Sequence, residues 1–262
     1  MAYEHVIVER TGAIGRLTLN RPEKLNAFAG RMRDEIFEGL AELDAPEVRV
    51  VVVTGAGRGF CSGADVGYLS ELLAERDAAS FEKLLDAGRA VVTKIREMAA
   101  PVVASVNGPA AGGGLNLALA CDVRIASDRA TFGQTFTRIG LAPDWGGLHF
   151  LPRLVGESKA LELMMTGEIV DAAEALRIGL VNRVVAHDEL APETDRLAAL
   201  LAARPPASLR AIKAGVYASG TRTLPESLDF ETASQLACFA TDDAREGVAA
   251  FFEKRAPRFT GE

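Results

Sequence analysis

The 262-residue chain is 48% hydrophobic and 25% charged, with a formal net charge of −7, a balance that excludes a disordered chain and a general nucleic-acid-binding surface. Cys61, Cys121 and Cys238 form no CxxC pair and His5, His149 and His187 are scattered, which argues against a disulfide framework and a zinc site, so no metal is expected. Met1-Ala2-Tyr3-Glu4-His5 has no basic stretch leading into an apolar one, and no run reaches membrane-spanning length, so a soluble, cytoplasmic protein without a membrane partner is expected.

Val6–Glu9 and Arg16–Asn20 read as the strands of a hairpin, with Gly12-Ala13-Ile14-Gly15 between them. Asn20-Arg21-Pro22 breaks the chain, and helical spacing follows over Leu25–Leu43 through Phe28, Met32, Ile36, Leu40 and Leu43. Val48–Thr54 is a near-continuous β-branched run, the pattern of a strand covered on both faces of a parallel sheet. Helical segments lead to a second such strand at Pro101–Val106, a helix from about Gly112 to Ala120 and a third strand at Val123–Ala126. Helices are expected near Trp145–Leu154, at Lys159–Thr166 and at Ala172–Ile178, then a last strand at Val181–Val185. Strands alternating with helices predict an α/β fold with right-handed crossovers.

After Arg204-Pro205-Pro206 the pattern is wholly helical: Ser208–Ala218, Pro225–Ala240 and Asp243–Arg255. The Pro-Pro step divides an α/β core over residues 1–204 from a helical region over residues 205–262, which is expected to serve docking or oligomerisation.

Two glycine-bearing loops follow buried strands, where α/β proteins place ligands. The first is Thr54-Gly55-Ala56-Gly57-Arg58-Gly59-Phe60-Cys61-Ser62-Gly63-Ala64-Asp65, and the second is Asn107-Gly108-Pro109-Ala110-Ala111-Gly112-Gly113-Gly114-Leu115-Asn116. Neither has the spacing of a dinucleotide fingerprint or a P-loop, and taken singly each reads equally as a tight turn. In the second, three glycines open an apolar helix, so free N–H groups point out of its N-terminus and no Cβ obstructs a substrate oxygen. Paired with an N–H from the first loop, they form an oxyanion hole that needs no metal.

The run Gly59–Asp65, with Val106–Gly114 and Cys121-Asp122, resembles the enoyl-CoA hydratase/isomerase (crotonase) superfamily. The likeness continues through Asn20-Arg21-Pro22, Leu151–Gly156, Ala175–Leu180 and Thr241–Arg255, and so covers essentially the whole chain. It implies a spiral of ββα units with a C-terminal helical region that builds trimers, or a hexamer made of two trimers. It also implies an acyl-CoA substrate, with coenzyme A entering as part of the thioester and no separate cofactor. The N–H groups of Ala64 and Gly113 would be the oxyanion donors. Lys24, Leu25 and Ala27, with Ala64, Asp65 and Val66, would line the adenine and pantetheine region. Gly112, Asn116, Phe136 and Trp145 are expected to contact the substrate, and Phe136 and Trp145 point to an apolar or aromatic acyl group. Phe251 and Lys254 match residues that touch the nucleotide of a neighbouring subunit, although trimer packing explains Phe251 equally well.

The hydratases of this family use two glutamates, and here those positions are Asn116 and Phe136. Addition of water needs a general base and a general acid, and losing each costs about a hundredfold to ten-thousandfold. The segment Phe136–Asp144 instead resembles the branch that includes ring-opened phenylacetyl-CoA isomerases, in which an aspartate is the acid/base. That position is Asp144, which also fits a simple N-cap. Asp65 and Asp122 read as ordering residues, and Cys61 has no neighbouring histidine to activate it. The resemblance therefore implies a shift of the double bond in an enoyl-CoA by a single aspartate. A hydratase, an aspartate-nucleophile enzyme and a non-catalytic acyl-CoA-binding subunit are the alternatives.

Overall fold

The N-terminal hairpin forms as Val6–Thr11 (β1) and Ile14–Leu19 (β2). Both strands run further toward the turn than the sequence suggests, because Gly12 at φ +59° lets Gly12 and Ala13 alone reverse the chain. The computed structural model describes residues 3–262, so the start of the expected leaderless N-terminus, Met1-Ala2, lies outside the described residues. Along the chain follow Val50–Gly55 (β3), Val102–Val106 (β4), Ala110–Ala111 (β5), Val123–Ser127 (β6), Thr131–Gly133 (β7), Ile169–Asp171 (β8) and Arg183–Val185 (β9). Six of them form a sheet in the order β1-β2-β3-β4-β6-β9, antiparallel only at the hairpin. The remaining three, β5-β7-β8, form a small second sheet that the sequence pattern did not reveal.

The helices are Met32–Leu43 (α1), Val66–Glu75 (α2), Ala78–Glu97 (α3), Gly113–Ala120 (α4), Gly147–Val155 (α5), Glu157–Thr166 (α6), Ala172–Arg177 (α7), Leu190–Ala202 (α8), Pro206–Ala218 (α9), Leu224–Phe239 (α10) and Asp242–Glu253 (α11). One face of the main sheet packs on the large core that includes Met32, Ile36, Leu40, Val91 and Ile95. The other face, through Val50, Val52, Val103 and Ile125, is covered by Leu190, Leu197 and Ala198 of α8. This explains why β3 and β4 are apolar at nearly every position. Helix α8 is not among the elements expected from the sequence. Pro192 in its first turn is tolerated there, and its buried Thr194 pairs with Ser105 at 2.9 Å across the core.

The helix expected over Leu25–Leu43 begins only at Met32. Leu25 and Asn26 are left-handed, at φ +49° and +57°. The Asn26 amide donates to the carbonyls of Ala56, Gly59 and Phe60 at 3.0, 2.8 and 3.1 Å. Those long-range bonds hold residues 25–31 in a non-helical, turn-containing loop against the first glycine loop.

The region after the Pro-Pro step is helical as expected. Its α9 is tied to the core by the buried Lys213, whose Nζ lies 3.0 Å from Asp122 and donates to the carbonyls of Ile95 and Ala100 at 2.8 and 3.2 Å. Asp122 therefore orders a strand end, since it also accepts from the N–H of Val102 at 2.6 Å and from Tyr217. Among the described residues, no helix is long and apolar enough to cross a membrane.

Candidate active site

The two glycine loops are held together at the C-terminal ends of β3 and β4. Asn107 donates to the carbonyls of Gly57 and Gly59 at 2.9 and 3.1 Å, and accepts from the N–H of Gly55 at 3.3 Å. Farther along, Cys61 and Ala110 form a parallel bridge, with the N–H of Ala111 donating to Cys61 at 2.9 Å. A second bridge joins Phe28 to Ala64, through Phe28 N–H to Gly63 at 2.7 Å and Asp65 N–H to Phe28 at 3.2 Å.

This arrangement leaves both expected oxyanion donors free. Among the described residues, neither the N–H of Ala64 nor that of Gly113 has a hydrogen-bond partner. Gly113 opens α4, so its N–H is one of the orphans of a helix N-terminus. Gly63 brings the loops close enough: at φ +87°, a Cβ there would lie 2.8 Å from the Ala111 carbonyl and 3.4 Å from the Gly113 nitrogen. Both N–H groups border a cavity of about 500 Å³ whose wall also includes Asp144, Arg33, Phe136 and Trp145.

Asp144 lies ahead of α5, not at its N-cap; that position is Gly146, and the carboxylate caps nothing. Its backbone carbonyl accepts from Gly147 N–H at 2.9 Å and from the Asn116 amide at 2.8 Å. Its Oδ1 is buried without a partner. Burial pushes the carboxyl pKa up to about 6, against the opposing pull of Arg33 and of its own backbone N–H.

Trp145, at φ +48°, stacks on Phe28 with ring centroids 4.4 Å apart and planes 4° from parallel. Gly88 of α3 leaves room for the indole; a Cβ there would collide with its Nε1. Phe136 stands over Gly112, where a Cβ would approach its ring at 3.6 Å.

Asn116 does not reach the cavity, contrary to the expectation that it touches substrate. It is fully buried, donating to Asp144 and accepting from Gln134 at 2.6 Å, so it positions the loop that carries Asp144. Nor are Lys24, Leu25 and Ala27 part of the cavity wall. They flank it, with the carbonyls of Leu25 and Lys24 accepting from Ser62 at 2.9 and 3.3 Å. Asp65 and Val66 do border the cavity. Asp65 pairs with Arg21 at 2.7 Å and caps α2 through the N–H of Gly67 at 3.0 Å, which holds its carboxyl below the usual range. Phe251 and Lys254 are exposed on α11 and its C-cap, away from the cavity of their own chain.

Cys61 donates its thiol to the Asn26 carbonyl at 3.0 Å, and burial pushes its pKa up to about 12, so it is no nucleophile. One cluster with metal-ligand chemistry occurs among the described residues, at Glu4, His5 and Glu35. Its Glu35 is already engaged, accepting from the N–H groups of residues 4 and 5 at 3.3 and 2.7 Å.

Two residues of the site were missed from the sequence. Gln134 holds Asn116 in place. Arg33, buried at 5% exposure, borders the cavity with Nε and Nη1 unpartnered. A charged residue three positions before Ile36, on the apolar stripe of α1, was the available signal for it.

The enoyl-CoA hydratase/isomerase family model matches residues 9–262. A crotonyl-CoA hydratase of Syntrophomonas wolfei is 38% identical over 261 residues, covering 99% of each chain. A 1,2-epoxyphenylacetyl-CoA isomerase of Escherichia coli is 38% identical over 253 residues, covering 94% of each. The crystal structure of an enoyl-CoA hydratase from Bacillus anthracis superposes with a TM-score of 0.93 at 33% identity, over 99% of this chain and all of that one.

Proposed function

The chain belongs to the enoyl-CoA hydratase/isomerase family, and we propose that within it this enzyme shifts the double bond of an enoyl-CoA, with Asp144 as its single acid/base. The observation that carries this reading is the pairing of one available carboxylate with two unpaired N–H groups. Asp144 and Asp65 are the carboxylates of the cavity wall, and Asp65 is committed to Arg21.

The N–H groups of Ala64 and Gly113 receive the thioester oxygen. Asp144 takes a proton from carbon, the electron pair moves onto that oxygen, and the enolate is held by the two donors. Asp144 then returns the proton at the other end of the allylic system, so base and acid are one group. A carboxyl held near 6 is largely ionised at neutral pH and is a stronger base than an ordinary aspartate. Each oxyanion donor is worth about 10²–10³ in kcat in comparable sites.

The hydratase reading draws on the named relatives, of which the crotonyl-CoA hydratase is one. Against it stand the residues: Asn116 is spent on Asp144 and Gln134, and Phe136 has no proton to give. Product analysis distinguishes the two. Incubation with a 3-enoyl-CoA and with crotonyl-CoA is expected to yield the 2-enoyl isomer from the first and little hydration of the second. Efficient hydration without isomerisation would reverse the assignment.

The division at residues 204 and 205, a homotrimer or dimer of trimers, and a cytoplasmic location belong to the same proposal. The trimer draws support from the apolar residues displayed by α10 and α11: Leu236, Phe239, Phe251 and Phe252 are each at least 65% exposed. Covering them with copies of this chain removes a patch that a soluble monomer rarely presents. Sedimentation of the full chain as a monomer at micromolar concentration would overturn it. The cytoplasmic location draws on the free thiols of Cys61, Cys121 and Cys238.

A further inference from the structure

The double-bond shift makes no use of Arg33, yet this residue is built into the cavity with care. The side chain leaves the first turn of α1, and its guanidinium carbon lies 5.3 Å from the centroid of Phe28, the same ring that stacks on Trp145. That contact sets the guanidinium beside the ring. Its Nε and Nη1 have no acceptor in the protein. Asp144 borders the same cavity, but no ion pair joins the two among the described residues, and Asp144 Oδ1 is likewise unpartnered.

A guanidinium stays charged in a protein, so its buried N–H groups must find acceptors or carry a large desolvation cost. Around them the wall is largely hydrocarbon, from Leu69, Phe81, Phe136, Leu141 and Trp145, with Tyr68, Thr135 and the exposed Arg138 as further polar side chains. A purely hydrocarbon acyl chain fits those walls but offers these N–H groups no acceptor. Asp144 is not the missing acceptor, because its carboxylate must be free to move the proton.

We propose that Arg33 is a specificity determinant that hydrogen-bonds a neutral oxygen on the acyl chain, so that the enzyme prefers hydroxyl-, keto- or ether-bearing enoyl-CoA thioesters over hydrocarbon ones. A neutral oxygen suits the site better than a carboxylate. A second anion beside ionised Asp144 would be repelled, and Arg138, the other cation of the wall, is exposed, so solvent screens it. This inference rests on the reading of the cavity as an acyl-CoA site, and it names what that acyl group carries.

The test uses the full-length enzyme and unreactive ligands, so that it does not depend on turnover. Calorimetry compares hexanoyl-CoA with derivatives bearing a hydroxyl group on carbon 4, 5 or 6, a keto group on carbon 4 or 5, or a terminal carboxylate (adipoyl-CoA). At least one neutral oxygenated ligand is expected to bind about tenfold tighter than hexanoyl-CoA or more. Arg33→Met is expected to shrink that preference to within about threefold, and Arg33→Lys, which keeps a cationic donor, to retain part of it.

Equal affinity across the wild-type series would overturn the proposal, as would tightest binding of adipoyl-CoA or a preference that survives Arg33→Met. Should Arg33→Met fail to fold, the wild-type series and Arg33→Lys still decide the matter. Failure of the isomerase assignment looks different: no conversion of 3-enoyl-CoA by the wild type, with the binding preference intact.

Discussion

The side-chain amide of Asn116 donates to the backbone carbonyl of Asp144 at 2.8 Å, while its oxygen accepts from Gln134 at 2.6 Å. The position at which hydratases of this family carry a glutamate thus holds a buried amide that sets the loop of the proposed acid/base. Gly147 makes room for it, since a Cβ there would lie 2.5 Å from the Asn116 nitrogen. Replacing Asn116 by Asp turns the donor into an acceptor facing a carbonyl. The expected cost is about 2 kcal/mol of stability, with kcat falling about tenfold or more and KM little changed, because Asn116 orients Asp144 without touching substrate. Denaturant unfolding and steady-state kinetics check both parts. Asn116→Glu is expected to create no hydratase, as Phe136 stays inert.

The pH dependence of kcat/KM follows from Asp144. The base form is the active one, and burial holds the carboxyl near 6. The rate is therefore expected to rise with pH and level off above an apparent pKa of about 6. A profile still rising through pH 8 would assign the base to another group.

The same carboxyl leaves a mark on stability. Its pKa in the fold, about 6, exceeds the ordinary 3.8, so the folded state binds the proton more tightly than the unfolded chain does. This contribution is present in full below the ordinary value and is lost as pH rises through about 6, by at most about 3 kcal/mol. Asp144→Asn is accordingly expected to be more stable than the wild type at pH 7.5, and the advantage should shrink toward pH 4. Melting curves of both proteins across that range measure it. Stability so sacrificed at a buried ionisable group is characteristic of catalytic positions.

Gly63→Ala tests the oxyanion geometry. At φ +87° an alanine is strained, and its Cβ would press on the Ala111 carbonyl from 2.8 Å, so about 1–3 kcal/mol of stability is expected to be lost. The shift also moves the Ala64 N–H away from that of Gly113. A fall in kcat of about 10²–10³ is expected, with affinity for an unreactive acyl-CoA retained within severalfold.

Much of this was legible in the sequence, for identifiable reasons. β3 and β4 announce themselves because burial on both faces leaves only apolar β-branched choices such as Val50–Val53. The glycine loops are legible because Gly63 and Gly112 adopt backbone conformations that side chains resist. What escaped depends on contacts distant in sequence. Leu25–Arg31 carries a helical pattern, yet Asn26 is held left-handed by carbonyls thirty or more residues away. The place of Arg33 on the apolar stripe of α1 signals a buried charge, but its neighbours Phe28 and Asp144 meet only in three dimensions. The place of Asn116 beside the oxyanion glycines suggests a substrate contact, and only the fold turns its side chain inward.

Turnover of a 3-enoyl-CoA by Asp144→Asn reads directly whether one carboxylate performs the chemistry. Isomerisation is expected to fall by about 10²–10⁴, while the variant stays folded and still binds acyl-CoA. Isomerisation at a rate near that of the wild type would contradict it.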